Sequence, residues 1–478
     1  MIKNLDLKKL SLVEILFYIL PITFVLGNLI LSINFLLCII FGLIVIRKEQ
    51  LIWRFKQSYW ILIVFFLYLF LLTTIQFSDY AVWTEIAVKS FLENPEAISP
   101  PVSHVDQLNL ENHPVFKSLL LSRFIILVIV TDILFYNEKL KLQKFFLVSL
   151  ICTSFVSLDI IFQYIFGFDL FGLKSSGRWH SGPFGDELIA GSFLQKFSLL
   201  SFFYIFYINK SKNLNNPLII FLIFSHALAI ALSGNRMPFL LFLFASLLII
   251  LLIKNVRFVM SSGLIIFLVV FIGVSKHNPK IGASYQSFFE QSNVFNLLKY
   301  KKNSKEKNIN EVQKDKKVEK HSFGPNKVTA DFLRTTGHGR IYLTAIEMWK
   351  EKPILGHGLK SFRFKCWEIM LRIDGLACSN HPHNYYLELL SEVGIIGFLL
   401  MLAFFAILIK KSFNYFRKNN FANSEKYLLI SLFLVFFLEI WPLRSSGSFF
   451  TTWGSTLFWL IVSLLWANLE KKPANSIR

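Results

Sequence analysis

The chain has 478 residues, of which 54% are hydrophobic, and its mean hydropathy is +0.54. Its repeated, nearly uncharged apolar runs have the length of about 17–25 residues that a membrane helix needs, which excludes a soluble globular protein. The formal net charge is +20. Much of this excess lies in short loops between apolar runs, so the charge does not indicate nucleic-acid binding.

The apolar segments, taken in chain order, predict an all-α polytopic membrane helix bundle of about twelve spans. Pro21 and Gly27 leave open whether the first two segments are separate spans or one broken helix. The expected spans are 11–26, 28–46, 59–76, 118–136, 145–166, 187–208, 217–233, 238–253, 258–274, 386–409, 427–443 and 454–469. They divide the chain into N-terminal membrane helices (1–274), a large loop (275–385) and C-terminal membrane helices (386–478).

Lysine and arginine in the short connections predict the orientation, because these residues are enriched on the cytoplasmic side of a membrane. The basic connections lie near 3–9, 47–56, 139–144, 210–212, 254–257, 410–418 and 471–472. They alternate around a twelve-span arrangement, which places both termini in the cytoplasm and loop 275–385 on the outer side. Apolar character continues through the first two segments without a small-residue cleavage site, so no cleavable signal peptide is expected.

The large loop is predicted to have two parts. Residues 299–320 are rich in lysine and are expected to be solvated. The second part contains two apolar stripes at helical spacing, the first closed by Pro353, and these predict two amphipathic helices over the mouth of the bundle. The stripes are Ile341, Ala345 and Met348, then Leu359, Phe362, Cys366, Ile369 and Ile373. A Cys366–Cys378 bridge and two free thiols both remain open from spacing alone.

Unusual polar residues gather on the predicted outer side of the membrane. Arg178 lies in GRWHSG and Arg236 in the tight turn SGNRMP, whereas Arg340 opens the first loop helix and His381 and His383 lie at the end of the loop. Arginine suits persistent recognition of phosphate oxygens. Snorkelling is the alternative for Arg236, and ordering of its loop is the alternative for Arg178. Arg444, in WPLRSS, is expected to anchor the chain at the outer membrane interface.

His383 has the features of a general base. Pro382 disfavours helix at the preceding residue, so His383 is predicted to lie in the first turn of the next span, where the helix N-terminus favours neutral imidazole. A neutral imidazole can accept a proton from a sugar hydroxyl. His381 is expected to be more structural, and no Cys/His pattern predicts a metal site. Gly394 and Gly397 are expected to permit close helix packing.

His383-Asn384, followed after nine residues by GIIG, resembles the signature of the O-antigen ligase and polymerase superfamily, and SGNRMPFL resembles its arginine motif. The resemblance implies a metal-independent membrane glycosyltransferase without a cofactor. Its donor would be a glycan on undecaprenyl pyrophosphate, and its acceptor a lipid A–core hydroxyl at the periplasmic face of the inner membrane. It also implies catalytic roles for His383, Arg236 and Arg340. In this superfamily a polar residue often follows the second glycine of this motif, whereas this chain has Phe398 there and departs from the pattern.

Three further residues, Arg178, His381 and Asn384, are candidates for substrate binding. An O-antigen polymerase, which joins lipid-linked repeat units, shares the architecture and remains the nearest alternative. A lipid-linked oligosaccharide transporter is an alternative of another class, and it would favour internal repeats and titratable residues in mid-span. The chain shows no clear repeat, and its polar groups gather on one face.

Overall fold

The computed structural model describes residues 10–53, 55–93, 113–209, 217–291, 333–334, 336–418 and 425–469. Within these ranges the chain is helical and forms no β-strand, which confirms the all-α fold class. The lysine-rich segment 299–320 lies outside the described residues. The α-helices of these ranges are α1 Leu12–Tyr18, α2 Leu20–Val25, α3 Asn28–Lys48, α4 Tyr59–Ile75, α5 Phe77–Glu93, α6 Pro114–Leu121, α7 Arg123–Tyr136, α8 Leu142–Phe166, α9 Ala190–Ile208, α10 Pro217–Leu232, α11 Arg236–Leu252, α12 Arg257–His277, α13 Pro279–Gln291, α14 Gly337–Glu351, α15 Phe362–Arg372, α16 Tyr385–Lys418, α17 Glu425–Glu439 and α18 Thr452–Leu469.

Seven helical segments among the described residues are long and apolar enough to cross a membrane. They are Asn28–Lys48, Pro114–Tyr136, Leu142–Phe166, Ala190–Ile208, Lys254–His277, Tyr385–Arg417 and Thr452–Leu469. The pair Tyr59–Ile75 and Phe77–Ile86, bent by 56°, raises the number to eight if it counts as one span. A multi-pass membrane protein is therefore confirmed, whereas twelve spans remain a prediction.

The first predicted span is broken. It consists of two short helices, α1 and α2, that meet at Ile19, and Gly27 then turns the chain into α3 with a φ of +103°. The Asn34 side chain of α3 donates to the carbonyl oxygen of Leu16 at 3.0 Å. This contact ties α3 to the broken pair, so the region holds one long helix and one interrupted helix.

The two ends of the bundle differ in character. At one end, the basic connections after α3 and after α7 meet, where the Ile52 amide donates to the Asn137 side chain at 3.3 Å. At the other end, the Ser446 amide donates to the carbonyl oxygen of His383 at 2.8 Å. In each case two connections that the sequence predicts on one side of the membrane meet, while the orientation of the bundle in a membrane remains a prediction.

Helices α14 and α15, which we call the lid helices, are the two amphipathic helices that the loop sequence predicts. Thr336 caps α14 by accepting the Gly339 amide at 3.1 Å, and the helix ends just before Pro353, as expected. The apolar stripes face each other in a small buried core that includes Ala345, Met348, Phe362, Cys366 and Ile369. A disulfide joins Cys366 to Cys378, with 5.2 Å between their Cα atoms, and resolves the alternative that spacing left open.

Helix α5 was not expected, because its residues were assigned to an outer connection. It packs on lid helix α15 through Tyr80, Trp83 and Phe364, which form a separate buried cluster. The Tyr80 hydroxyl also donates to the carbonyl oxygen of Leu359 at 2.7 Å. The lid therefore rests on α5 as well as on the membrane helices.

Helix α16 is interrupted at Gly394, where φ is +62° and ψ is −171°. Segment 353–358, between the lid helices, pairs with the interrupted turn through its backbone. Three of the bonds are His357 N to Ser391 O at 3.2 Å, Gly358 N to Glu392 O at 2.8 Å and Ile395 N to Pro353 O at 2.9 Å. The expectation of helix packing at Gly394 is wrong, because a Cβ there would lie 2.3 Å from the carbonyl oxygen of Ile354, in a loop.

Three buried charged side chains lie together inside the bundle. Glu439 of α17 lies 3.2 Å from the Lys196 ammonium and 2.7 Å from the Arg444 guanidinium. All three side chains are buried. The expected interfacial anchor, Arg444, is therefore an internal residue, because Glu439 compensates its charge where water does not reach.

Candidate functional site

His383 lies just before α16, not in its first turn as predicted. Its φ is +56°, a left-handed conformation that is uncommon for residues other than glycine. The Ser446 amide holds this conformation by donating to the His383 carbonyl oxygen at 2.8 Å. The His383 imidazole contacts His338 of lid helix α14.

Asn384 begins α16 as its cap. Its Oδ1 accepts the amides of Tyr386 and Leu387 at 3.0 and 3.2 Å. Its Nδ2 donates to the carbonyl oxygens of Pro442 at 2.8 Å and Arg444 at 3.3 Å. Both ends of the amide are thus used inside the fold, which gives Asn384 a part in placing its neighbour His383 and leaves little capacity for substrate.

Three imidazole rings lie together, and we call His338, His381 and His383 the histidine cluster. The His383 ring centroid is 4.2 Å from that of His381 and 4.8 Å from that of His338, which approaches edge-on. The Ser379 hydroxyl lies 3.3 Å from Nε2 of His383. His338 was missed in the sequence, although its place in GHGR, two residues before Arg340, was a usable signal.

The rings of the histidine cluster are shifted toward their neutral forms. Burial and the nearby charge of His338 together lower the pKa of His383 to about 4. Burial and the His383 charge lower the pKa of His381 to about 3. Burial and the charge of Arg236 lower the pKa of His338. The predicted neutrality of His383 therefore has a different cause from the helix N-terminus, namely desolvation and neighbouring positive groups.

Arg236 is the first residue of α11 and faces the histidine cluster closely enough for its charge to act on His338. Its guanidinium carbon lies 5.6 Å from the ring centroid of Phe288. The preceding turn packs against the Arg178 loop at Gly234, where a Cβ would lie 2.2 Å from Trp179 and 3.1 Å from the Arg178 carbonyl oxygen. This close approach brings the two arginines together at the same end of the bundle.

Arg178 carries a buried Nε that has no hydrogen-bond partner among the described residues. Its guanidinium carbon stacks 4.6 Å from the centroid of the adjacent Trp179 ring. The Arg178 and Arg236 charges interact unfavourably. Two like charges held this close, one with an unsatisfied donor, form an environment that an anion would stabilise.

Arg340 is not brought to the cluster in the same way. Its side chain is exposed, and no contact in the described segments joins its guanidinium to His383. It lies two residues after His338 on α14, so the two side chains leave the helix roughly 200° apart. Of the three predicted catalytic residues, His383 and Arg236 each have His338 as a neighbour, through a ring contact and through charge, whereas Arg340 is exposed on α14.

Two buried glutamates on α16 were also missed. The Glu392 carboxylate accepts the amides of Lys360 at 2.6 Å and Phe362 at 3.2 Å, at the start of lid helix α15. One turn earlier, Glu388 accepts the Phe449 amide at 2.6 Å. The acidic residues in the apolar run LELLSEVG were the available signal. They fasten the lid and the segment near 449 to the helix that follows His383.

No group of three or more His, Cys, Asp or Glu side chains among the described residues is arranged to hold a metal ion, the histidine cluster included. The positive groups near His383 are arginines, whose planar guanidinium groups bind phosphate oxygens by paired hydrogen bonds. The site thus combines a neutral proton acceptor with fixed positive charge.

His383 and Arg236 lie within a segment that matches a known protein family. Residues 218–402 match the O-antigen ligase family. The match confirms the resemblance seen in the motifs, covers less than half of the chain, and includes His383, Arg236 and Arg340 but not Arg178. No curated protein matches the chain. The family match and the spanning helices indicate a membrane protein that transfers lipid-linked glycans.

Proposed function

We propose that this protein transfers a glycan from undecaprenyl pyrophosphate to an acceptor hydroxyl at the periplasmic face of the bacterial inner membrane, with lipid A–core as the acceptor. The observation that carries the assignment is the position of His383. Its imidazole is neutral, lies in a histidine cluster beside Arg236, and belongs to the segment that matches the O-antigen ligase family.

His383 acts as the general base in this proposal. The acceptor oxygen forms a bond to the anomeric carbon of the donor sugar, while the bond from that carbon to the diphosphate oxygen breaks. The acceptor proton passes to the His383 imidazole, and the diphosphate leaves with the bonding electrons. Ser379 orients the ring, and positioned proton transfer of this kind contributes about 10²–10⁴-fold to a rate.

Arg236 and Arg178 stabilise the departing diphosphate. Their charges are already fixed near one another, so they need little rearrangement as negative charge develops on the leaving group. Arg340 provides a further contact from the open side of α14. Because Arg236 lies near the cluster and Arg340 is exposed, Arg236→Ala should weaken donor binding and turnover more than Arg340→Ala, and lysine should rescue Arg236 poorly.

Gene deletion distinguishes the acceptor. Loss of a ligase leaves long glycan polymer on undecaprenyl pyrophosphate and lipopolysaccharide without it. Loss of an O-antigen polymerase instead leaves single repeat units on the carrier. Accumulation of single repeats would contradict the lipid A–core acceptor and establish the polymerase alternative.

Purified protein tests the chemistry directly. Transfer from a lipid-pyrophosphate glycan to acceptor should continue in excess EDTA, because arginines carry the diphosphate charge. Loss of transfer with chelator and its recovery with magnesium would contradict this role for the arginines. The matched control is the His383→Ala variant, which should bind donor and fail to transfer.

The predicted orientation has its own test in intact spheroplasts. A membrane-impermeant thiol reagent should modify a cysteine placed at the exposed Asp374, in the lid region, and should not modify one placed at Glu138, between α7 and α8. The reverse labelling pattern would place the histidine cluster in the cytoplasm and refute a periplasmic reaction.

A further inference from the structure

The connection between α8 and α9 begins with a small rigid hairpin, residues 167–174. A single antiparallel bridge joins Phe168 to Lys174. The Ser175 amide donates to the carbonyl oxygen of Gly167 at 2.9 Å, and the Asp169 amide donates to that of Leu173 at 3.0 Å. The hairpin therefore has a defined shape and a tip at Leu170 and Phe171.

This tip folds back along α8 instead of continuing beyond its end. The Leu170 amide donates to the Asp159 carboxylate at 2.8 Å, and the Phe171 ring contacts that of Phe155 at 6.3 Å between centroids. At 1.5 Å per residue, these partners lie roughly 10 and 16 Å back from the end of α8 at Phe166. The tip is therefore beside a helix that is long and apolar enough to cross a membrane.

Irregular backbone at membrane depth is tolerated where its polar groups find internal partners, and the amides of the hairpin tip have such partners. Oδ1 of Asp169 accepts the amides of Phe171 at 3.0 Å and Leu173 at 2.7 Å. Gln163 of α8 donates to the carbonyl oxygen of Leu173 at 3.1 Å. With the Asp159 bond, these contacts pair the amides of the tip inside the fold, whereas Oδ2 of Asp159 and Oδ2 of Asp169 are buried without a hydrogen-bond partner among the described residues.

The apolar side chains of the hairpin face outward. Phe171 is 65% exposed and Leu170 is 55% exposed, and Phe168 and Leu173 are also exposed. Ile151, lower on α8, continues the same apolar surface at 60% exposure. The hairpin thus extends the lipid-facing side of a candidate span up to the end of the bundle that carries the histidine cluster.

The same connection leads directly to the arginine pair. Arg178 follows Ser175 by three residues, a path of at most about 10 Å, and its loop packs on the turn before Arg236. Apolar surface at membrane depth thus lies next to two positive charges at the bundle end. A lipid with a long apolar tail and a negatively charged diphosphate head group would complement this apolar surface and its neighbouring positive charges.

We propose that hairpin 167–174 binds the polyprenyl tail of the donor lipid and directs its diphosphate to Arg178 and Arg236, an inference that rests on the proposed function. The hairpin selects the donor by tail length, and the arginines recognise its head. Contact with bulk phospholipid alone is the competing role for the same surface.

Kinetics with two donors tests the hairpin. Both donors carry the same diphosphate glycan, one on the full undecaprenyl tail and one on a short geranyl tail. Phe171→Ser should raise KM for the long-tail donor about tenfold, the loss expected for one large apolar contact, with little change in kcat. The short-tail donor should show no comparable rise in KM, and Phe171→Trp, which keeps a large apolar side chain, should restore most of the long-tail affinity that Phe171→Ser loses. Ile151→Ser is the matched control, because Ile151 is a similarly exposed apolar residue on the face of α8 that the hairpin extends.

An equal change with both donors, or no change with either, would overturn the tail-binding role. Crosslinking provides a readout that does not depend on transfer. A photoreactive phenylalanine analogue at position 171 should capture the long-tail polyprenyl pyrophosphate in membranes, whereas capture of phospholipid alone would overturn the inference. If the unchanged protein transfers glycan from neither donor, the proposed function fails, while the crosslink still decides what lipid the hairpin contacts.

Discussion

Replacing Gly394 with alanine perturbs the backbone pairing between the lid and α16. The added Cβ would lie 2.3 Å from the carbonyl oxygen of Ile354, 2.5 Å from the carbonyl carbon of Leu355 and 2.6 Å from the amide nitrogen of Gly356. All three contacts are with backbone atoms, so no flexible side chain can move aside. Alanine would also have to adopt a φ of +62° with ψ near −171°, a region that is essentially restricted to glycine.

The structure sets the size of the effect. The strained conformation costs about 1–3 kcal/mol, and loss of the three backbone hydrogen bonds to segment 353–358 adds about 0.5–1.5 kcal/mol each. The free energy of unfolding should therefore fall by roughly 3–7 kcal/mol if both occur. Because segment 353–358 joins the lid helices, transfer activity should fall together with stability.

The assay is denaturant unfolding of the purified protein in detergent, followed by tryptophan fluorescence. Gly273→Ala is the matched control, since this glycine lies within α12 and a Cβ there meets nothing within 4 Å. Alanine at that position should be neutral or stabilise slightly, by about 0.5–1 kcal/mol. Equal stability of Gly394→Ala and Gly273→Ala would refute the assignment of Gly394 as the residue that admits the lid backbone.

Three further outcomes are expected. His383→Ala should lower turnover by about 10²–10⁴-fold with donor binding nearly unchanged. His381→Ala should cause a smaller loss of turnover. Near-normal transfer by His383→Ala would contradict the assignment of His383 as the general base. Since His383 must be neutral and its pKa is about 4, activity should persist to mildly acidic pH. His338→Ala raises that pKa by admitting water and removing a positive neighbour, so the acidic limb of the pH–rate profile should move to higher pH; an unmoved limb would limit His338 to packing. Glu439→Ala leaves two buried cations unpaired and should cost about 3–5 kcal/mol in unfolding experiments, whereas a smaller loss would indicate that water reaches them.

The features that depend on local composition could be predicted from the sequence. Long uncharged apolar runs predict membrane helices, because the lipid offers no hydrogen-bond partner and the backbone must therefore pair its own polar groups within a helix. The lid helices followed from apolar residues at helical spacing and from Pro353, which ends α14 as expected. His383 and Arg236 were found because their motifs are short and contiguous, and the structure brings both to one end of the bundle.

The features that depend on distant contacts could not be predicted. Gly394 looks like a helix-packing glycine until segment 353–358, about 40 residues earlier, is seen to pair with it. Asn384 looks available for substrate until its amide is placed against the carbonyl oxygens of Pro442 and Arg444. In each case the sequence names the residue and the tertiary partner decides its role.

The backbone pairing at Gly394 has a consequence for protein engineering. Segment 353–358 contributes main-chain hydrogen bonds to α16, and Glu392 of the same helix caps lid helix α15. The loop that carries the lid helices is therefore not a transplantable module that ends where the membrane helix begins. A chimaera designed to exchange acceptor preference between relatives should take residues 336–397 as one cassette, because a junction at residue 385 would separate the two halves of a single folded unit.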